Sequence, residues 1–189
     1  KGGRTEPQVV VDYRDGQGNS KATVLCTTPE GTGAIWQVQL TSATVGDVTF
    51  VIPSASKVVG SFGTSSPATA VIAANDVYFL NKKGVFVLGN EKQFWGVLRT
   101  NELSVKIRPY IEAISMTKIS GACAYYYDDK VFFSVSTNGT NNNRIFYYDR
   151  ENLSWVADWS VGVNQFGEHT DSDGVSHFLG ASSTDGYII

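Results

Sequence analysis

Short runs of apolar and aromatic residues, separated by polar turns, cover most of the chain, and the clearest of them lie between Ala122 and Trp159. Four segments there are rich in aromatic and β-branched residues, which favour strands. Turn signals separate them about every ten residues, which predicts a four-stranded antiparallel meander. The predicted strands are Ala122–Tyr127, Lys130–Ser136, Arg144–Asp149 and Leu153–Trp159, with a turn at Asp128-Asp129 and a polar loop at Thr137–Asn143.

The N-terminal third has the same pattern. We expect one face of its third strand to be buried, because apolar and polar residues alternate along it. Thr41–Asp47 is expected to be a small polar loop, and Pro53 is expected to end the following strand, since proline cannot donate to a β-ladder. The predicted strands are Gln8–Tyr13, Lys21–Thr28, Ala34–Leu40 and Val48–Ile52.

A second meander is predicted after the loop Gly63–Pro67, which is a plausible internal boundary. A hairpin turn at Asn81–Gly84 places Gly84 where a positive φ is needed. The apolar segments of this meander are Ala68–Ala74, Val77–Leu80, Val85–Leu88 and Gln93–Arg99.

Residues 104–114 do not follow this pattern of short strands and turns. Leu103, Ile107, Ile111 and Ile114 are spaced as on a helix, and Pro109 restricts any helix to a short one that begins near Arg108. We therefore expect one short helical connection between meanders.

A turn followed by a strand occurs three times in a similar sequence pattern. The aspartates in these turns, Asp76, Asp129 and Asp173, are 53 and 44 residues apart. Blades of β-propellers repeat at roughly 40–50 residues. The predicted class is all-β, with propeller-like four-stranded meanders; a two-sheet β-sandwich is the alternative. Residues 1–67 would form a first blade or part-blades, and residues 68–189 two full meanders and the start of another. Because Tyr187–Ile189 resembles the middle of a strand, we expect a longer parent polypeptide.

Composition excludes several functions. The net charge of −3 gives no basic field for nucleic acid. The sequence contains no apolar run of the roughly 18–20 residues that cross a bilayer. No signal peptide is visible, so a soluble protein is expected.

Neither cysteine lies in a metal-binding or redox motif. Cys26 and Cys123 both stand in apolar strand patterns. We expect buried free thiols, although a disulfide between them stays open at this stage.

Polar clusters that resemble chemical sites are better explained as turns. Asp171–Gly174 (DSDG) lacks the distal glutamate of a calcium loop, as does the cluster of Asp12, Asp15 and Asn19. His169 and His177 are the two histidines, and their spacing matches no ligand motif. We predict no catalytic, cofactor-binding or metal-ligating residue.

The aromatic residues of the Ala122–Trp159 meander have two interpretations. Alternate residues of a strand face opposite sides, so a sheet covered on both faces would bury them all, whereas an uncovered face could bind sugar or a partner subunit. They are Tyr125, Tyr126, Tyr127, Phe132, Phe133, Phe146, Tyr147, Tyr148, Trp155 and Trp159.

Several motifs between Ala68 and Ile189 resemble those of one family. The pattern F-L-x-x-x-G-V-F-V-L precedes L-S-x-K-I-x-P, and a later N-x-I-x-x-Y-D is followed by an aromatic residue and by D-G-Y-I. This combination resembles the propeller-type structural (tail or neck) proteins of tailed bacteriophages. The matching residues are Phe79-Leu80, Gly84–Leu88, Leu103-Ser104, Lys106-Ile107, Pro109, Asn143, Ile145, Tyr148-Asp149, Trp155 and Asp185–Ile188.

The resemblance implies a non-enzymatic component of the phage tail or neck that binds copies of itself and other virion proteins. The alternative is a carbohydrate-binding propeller that recognises a receptor glycan. That alternative needs aromatic and carboxylate side chains gathered at one place, and Glu91, Glu102, Asp128 and Asp149 are its candidate acids.

Overall fold

The computed structural model of the protein describes residues 6–14, 20–27, 33–59, 62–90 and 98–189. Of the described residues, 60% lie in strands and 10% in helices, which confirms the all-β class. The strands are β1 (Glu6–Arg14), β2 (Ser20–Thr27), β3 (Gly33–Val45), β4 (Val48–Val59), β5 (Val71–Ala73), β6 (Asp76–Asn81), β7 (Gly84–Asn90), β8 (Leu98–Glu102), β9 (Cys123–Tyr127), β10 (Lys130–Val135), β11 (Arg144–Asp149), β12 (Ser154–Trp159), β13 (Val163–Thr170) and β14 (Ser176–Ser182).

These strands form four antiparallel sheets in chain order. The first sheet contains β1–β4, the second β5–β8 and the third β9–β12, each with neighbouring strands paired in sequence. The fourth sheet pairs β13 with β14, and Ile188 adds a bridge to Ala181. The described sheets do not close into a ring.

Tight turns set the register of the hairpins. Asp128 and Asp129 have φ of 49° and 54°, the left-handed pair that a two-residue hairpin needs. Gly84 has a φ of 153°, as the sequence predicted, and a Cβ there would overlap the Ser104 hydroxyl.

The second sheet is covered on both faces. Val77 and Phe79 pack with Leu25 and Ile35 of the first sheet. The alternate residues Tyr78 and Leu80 belong instead to a core shared with the third sheet. Successive side chains of β6 therefore lie in different cores, which explains why this strand is a continuous apolar run.

The third sheet repeats this arrangement. Val131 and Phe133 face the second sheet. Phe132 faces the other way, where it packs with Val163 and Phe166 of the fourth sheet. Three apolar cores thus separate four sheets, which is more layers than the two of a β-sandwich.

A helical connection joins the second sheet to the third, as predicted for residues 104–114. It consists of a 3₁₀ turn at Ser104–Ile107 followed by the helix α1 (Arg108–Glu112), with Pro109 in its first turn. Ile111 and Ile114 are buried in the core between these two sheets. The connection therefore closes one end of that core.

Polar contacts also tie the sheets together. The buried Ser66 hydroxyl, in the segment between the first and second sheets, lies 2.6 Å from the carbonyl oxygen of Ala122. Arg150 Nε donates to the Tyr78 hydroxyl at 3.1 Å. Burial raises the pKa of Tyr78, so its hydroxyl is protonated at neutral pH and accepts this bond.

Two expectations for the N-terminal third are wrong. Thr41–Asp47 is not a loop, because β3 continues to Val45 and only Gly46-Asp47 turns. Pro53 does not end a strand, because it lies within β4 opposite Leu40. β4 is the edge strand of its sheet, and an edge strand tolerates a residue that cannot donate on its outer side.

The last strand of the second meander is described only in part. The predicted strand Gln93–Arg99 falls mostly on residues 91–97, which lie outside the described residues. The described fourth strand is Leu98–Glu102, which pairs with β7 from Asn90 to Phe86.

Both cysteines are buried and neither forms a disulfide. Burial raises the pKa of the Cys123 thiol to about 12 and also raises the pKa of Cys26. This confirms the expectation of buried free thiols and resolves the open alternative.

Candidate interaction surface

The acidic turn Asp171–Gly174 is the turn of the β13–β14 hairpin. Asp171 Oδ1 accepts hydrogen bonds from the backbone N–H groups of Asp173 and Val175, both at 2.9 Å. Its other oxygen lies 2.8 Å from Nε2 of His177, and these bonds lower the pKa of Asp171. The carboxylate is thus occupied within its own turn.

The two histidines face each other across the same hairpin. His169 stands opposite His177 in the register of β13 and β14. Among the described residues, no group of three or more His, Cys, Asp or Glu side chains could hold a metal ion. Asp12 lies in β1 opposite Ala22, whereas Asp15 and Asn19 lie outside the described residues.

The described candidate acids of the carbohydrate-binding alternative are divided between two sheets: Glu102 lies on the second, whereas Asp128 and Asp149 lie beside Lys130 on the third. Glu102 binds Arg108 at 2.6 Å, beside the turn that begins β7. Asp128 binds Lys130 at 2.7 Å on the third sheet, and Asp149 accepts from the Asn152 amide in the next turn. Glu102 and Asp128 are thus each paired with a basic side chain, and Asp149 is held by hydrogen bonds from Asn152. Glu91 lies outside the described residues.

The aromatic residues of the third sheet are divided between two cores. Phe133, Phe146 and Trp155 lie on the face toward the second sheet. Phe132 lies on the opposite face, with its ring centroid 4.6 Å from that of Phe178. These rings pack between sheets, as the covered-sheet interpretation requires, although Trp159 is 45% exposed.

One polar surface cleft, of about 330 Å³, lies beside the third sheet. Its lining includes the side chains of Asn138, Asn141, Asn142 and Asn143, together with Ser183, and contains no aromatic residue. Several of these amides bind neighbouring backbone, as Asn142 does with the carbonyl oxygen of Val163 at 2.9 Å. The cleft therefore lacks the stacking surface on which sugar rings usually bind.

The most prominent exposed feature is a projecting hairpin. β2 pairs with β3 only from Gly33 to Val38, so beyond Val38 no described strand pairs with β3 on that side. The pairing of β3 with β4 continues to Val45 and Val48. We define residues 39–54 as the arm. At about 3.3 Å per residue, its seven-residue strands extend roughly 23 Å from the first sheet.

The arm is apolar and almost uncharged. Between Ala34 and Ser56, Asp47 at the tip is the single charged residue. The exposed fractions of the large apolar residues lie between 51% and 73%; these residues are Leu40, Val45, Val48, Phe50, Val51 and Ile52. Monomers rarely leave a contiguous patch of this kind uncovered, and such patches mark interaction sites.

The two faces of the arm differ. Residues directly opposite in the register share a face, so Thr44 and Thr49, whose hydroxyls lie 3.2 Å apart, are on one face with the pairs Ser42–Val51 and Leu40–Pro53. The second face is richer in apolar side chains; its cross-strand pairs are Val45–Val48, Ala43–Phe50, Thr41–Ile52 and, nearest the first sheet, Gln39–Ser54. We call this second face the inner face, because Ile35 lies on the same side of β3 and is buried against the second sheet.

Sequence reasoning missed the arm, although a signal was present. The Gly46-Asp47 turn stands between two runs rich in valine and threonine, which is a hairpin signal. Gly46 has a φ of 62°, as such a turn needs. The near absence of charge over this segment also distinguishes it from an ordinary surface loop.

Comparisons with known proteins add no family to this description. The chain matches no protein-family model, and none of the curated proteins gives a significant match. Within the part of the chain that the structure describes, no helix has both the length and the apolar character to cross a membrane.

Proposed function

We propose that this protein is a non-enzymatic structural component of a tailed-bacteriophage virion, a tail or neck module that binds copies of itself and other virion proteins. The arm carries the proposal, because an exposed, almost uncharged hairpin is suited to contacts within an assembly. The motifs between Ala68 and Ile189 that resemble phage propeller proteins supply the class of assembly.

We further propose that the sheets are blades of an incomplete β-propeller. Three of them are four-stranded antiparallel meanders, and each packs on the next in chain order through its own apolar core. This serial packing is how blades stack around a propeller axis. The helical connection would then be an insertion between two blades.

The carbohydrate-binding alternative has less support. It needs exposed aromatic rings beside carboxylates, whereas most rings of the third sheet lie between sheets, and Glu102 and Asp128 are each paired with a basic side chain.

Mass spectrometry of purified phage particles tests the proposal. We expect peptides of this chain in intact particles banded on a density gradient, at a fixed molar ratio to the capsid protein. The same lysate without particles, treated identically, is the control for adhering host protein. Enrichment of the chain in the soluble fraction, with none in the particles, would contradict a virion role.

A further inference from the structure

The inner face of the arm continues a face of β3 that is covered before the arm begins. On that preceding stretch, Ile35 is fully buried against the second sheet and Gln37 is 7% exposed. Farther out, Phe50 and Ile52 are each 51% exposed on the same face.

A hairpin in this position needs support. An isolated two-stranded hairpin is marginally stable in water, and the distal half of the arm has neither a third strand nor a covering layer among the described residues. Its outer strand edges also have unpaired backbone groups, and proteins usually cover such edges or place charged side chains on them to prevent pairing with other chains. The arm bears one charge, Asp47 at its tip.

We propose that the inner face of the arm is a self-association site, on which the arm of a second copy of this chain packs in the opposite direction. This inference deepens the proposed assembly function and rests on it. The two copies are related by a two-fold axis that lies between their inner faces and runs perpendicular to the strands. Such an axis places Phe50 of each copy beside Phe50 of the other, and Val48 of each beside Ile52 of the other.

Area favours a second copy as the occupant, and charge on the arm does not oppose it. Each copy carries a net charge of −3, so two copies repel over most of their surfaces, but the arm face brings no like charges together. The six side chains of the three outer pairs on the inner face, from Thr41–Ile52 to Val45–Val48, expose on the order of 500 Å² per copy, or about 1,000 Å² for the pair, which is at the lower limit for a specific interface. The association is therefore weak and depends on protein concentration.

Sedimentation equilibrium of two charge variants tests the site. The variants are Val48→Lys/Ile52→Lys and Val48→Glu/Ile52→Glu. In the proposed arrangement each variant meets like charges in its own dimer, and an equimolar mixture pairs lysine with glutamate. We expect self-association of the wild type in the micromolar range, a loss of about 100-fold or more in each variant alone, and recovery in the mixture.

A matched variant controls for charge itself. Val105→Lys/Val175→Lys changes two valines that are 60% and 52% exposed elsewhere on the surface, and it should associate as the wild type does. Circular dichroism and thermal unfolding check that every variant is folded. Recovery in the mixture excludes misfolding, because two unfolded chains would not restore each other.

Each outcome decides the inference. If the wild type associates and the arm variants associate equally well, the arm is not the contact, while the proposed assembly function stands. If neither mixture nor wild type exceeds the monomer mass of 20.5 kDa, self-association through the arm is overturned. If the monomeric wild type instead sediments with phosphatidylcholine vesicles and the arm variants do not, the occupant is lipid and the inference is also overturned.

Discussion

Replacing Phe132 with alanine should loosen the fourth sheet selectively. Phe132 is 4% exposed and belongs to the core between the third and fourth sheets. Its ring centroid lies 4.6 Å from that of Phe178 and 5.0 Å from that of Tyr147. The fourth sheet has two strands and one bridge, and a sheet of that size depends on packing for its stability.

The magnitude follows from the burial of Phe132. Truncating a buried phenylalanine to alanine costs about 3–5 kcal/mol, which is a large part of the roughly 5–15 kcal/mol that stabilises a domain. If the loss is confined to opening of the fourth sheet, amide exchange in β13 and β14 should accelerate by roughly 100-fold to 3,000-fold. Amides of β6 and β7 should keep nearly their original protection.

Hydrogen–deuterium exchange resolved by peptide measures this difference. The matched control is Phe133→Ala, the neighbouring residue, which is fully buried in the core between the second and third sheets. This control should weaken protection in both of those sheets. Equal acceleration in all sheets for both variants would refute the argument that the two cores are energetically separate.

Three further predictions concern single groups. Burial raises the pKa of Cys123 from its ordinary 9.0 to about 12, so the thiol loses its proton at a lower pH in the unfolded chain than in the folded protein. The free energy of unfolding, measured in urea, should therefore fall by up to about 1.4 kcal/mol per pH unit above pH 9, and Cys123→Ala should reduce that slope. Ser66→Ala leaves the buried carbonyl of Ala122 without this donor and should cost about 1–3 kcal/mol in the same assay, whereas an unchanged midpoint would mean that water replaces the hydroxyl. Gly84→Ala should lower the thermal midpoint through a loss of about 1–3 kcal/mol, because its positive φ and the overlap with the Ser104 hydroxyl both oppose a side chain; a midpoint equal to that of the wild type would contradict this.

Strong local signals made the third sheet predictable from sequence. β11 has the predicted bounds of Arg144–Asp149, and the other three strands differ by only one residue at an end. The Asp128-Asp129 turn and the alternation of large apolar residues both act over a few positions, so no distant contact was needed to recognise them. The short helix was predictable for the same reason, since Pro109 limits where it begins.

The arm was not predictable in the same way. Thr41–Val45 is polar enough to resemble a loop, and its strand conformation depends on pairing with β4 along its whole length. Pro53 predicts a strand end because a central strand would exclude it, and the sequence alone does not show which strand lies at an edge. Exposure is likewise a property of the tertiary arrangement, so the candidate site became visible only in the structure.

The alternation of faces in the central sheets has a consequence for energetic coupling. Phe132 and Phe133 are neighbours in the chain but contribute to different cores, so their substitutions should be nearly additive. Phe133 and Leu80, more than fifty positions apart in the sequence, share one core and should show a measurable interaction energy. The molecule thus resembles a one-dimensional array, in which each meander packs against the meanders before and after it. The energetic effect of a substitution at one end should therefore decrease step by step along the stack.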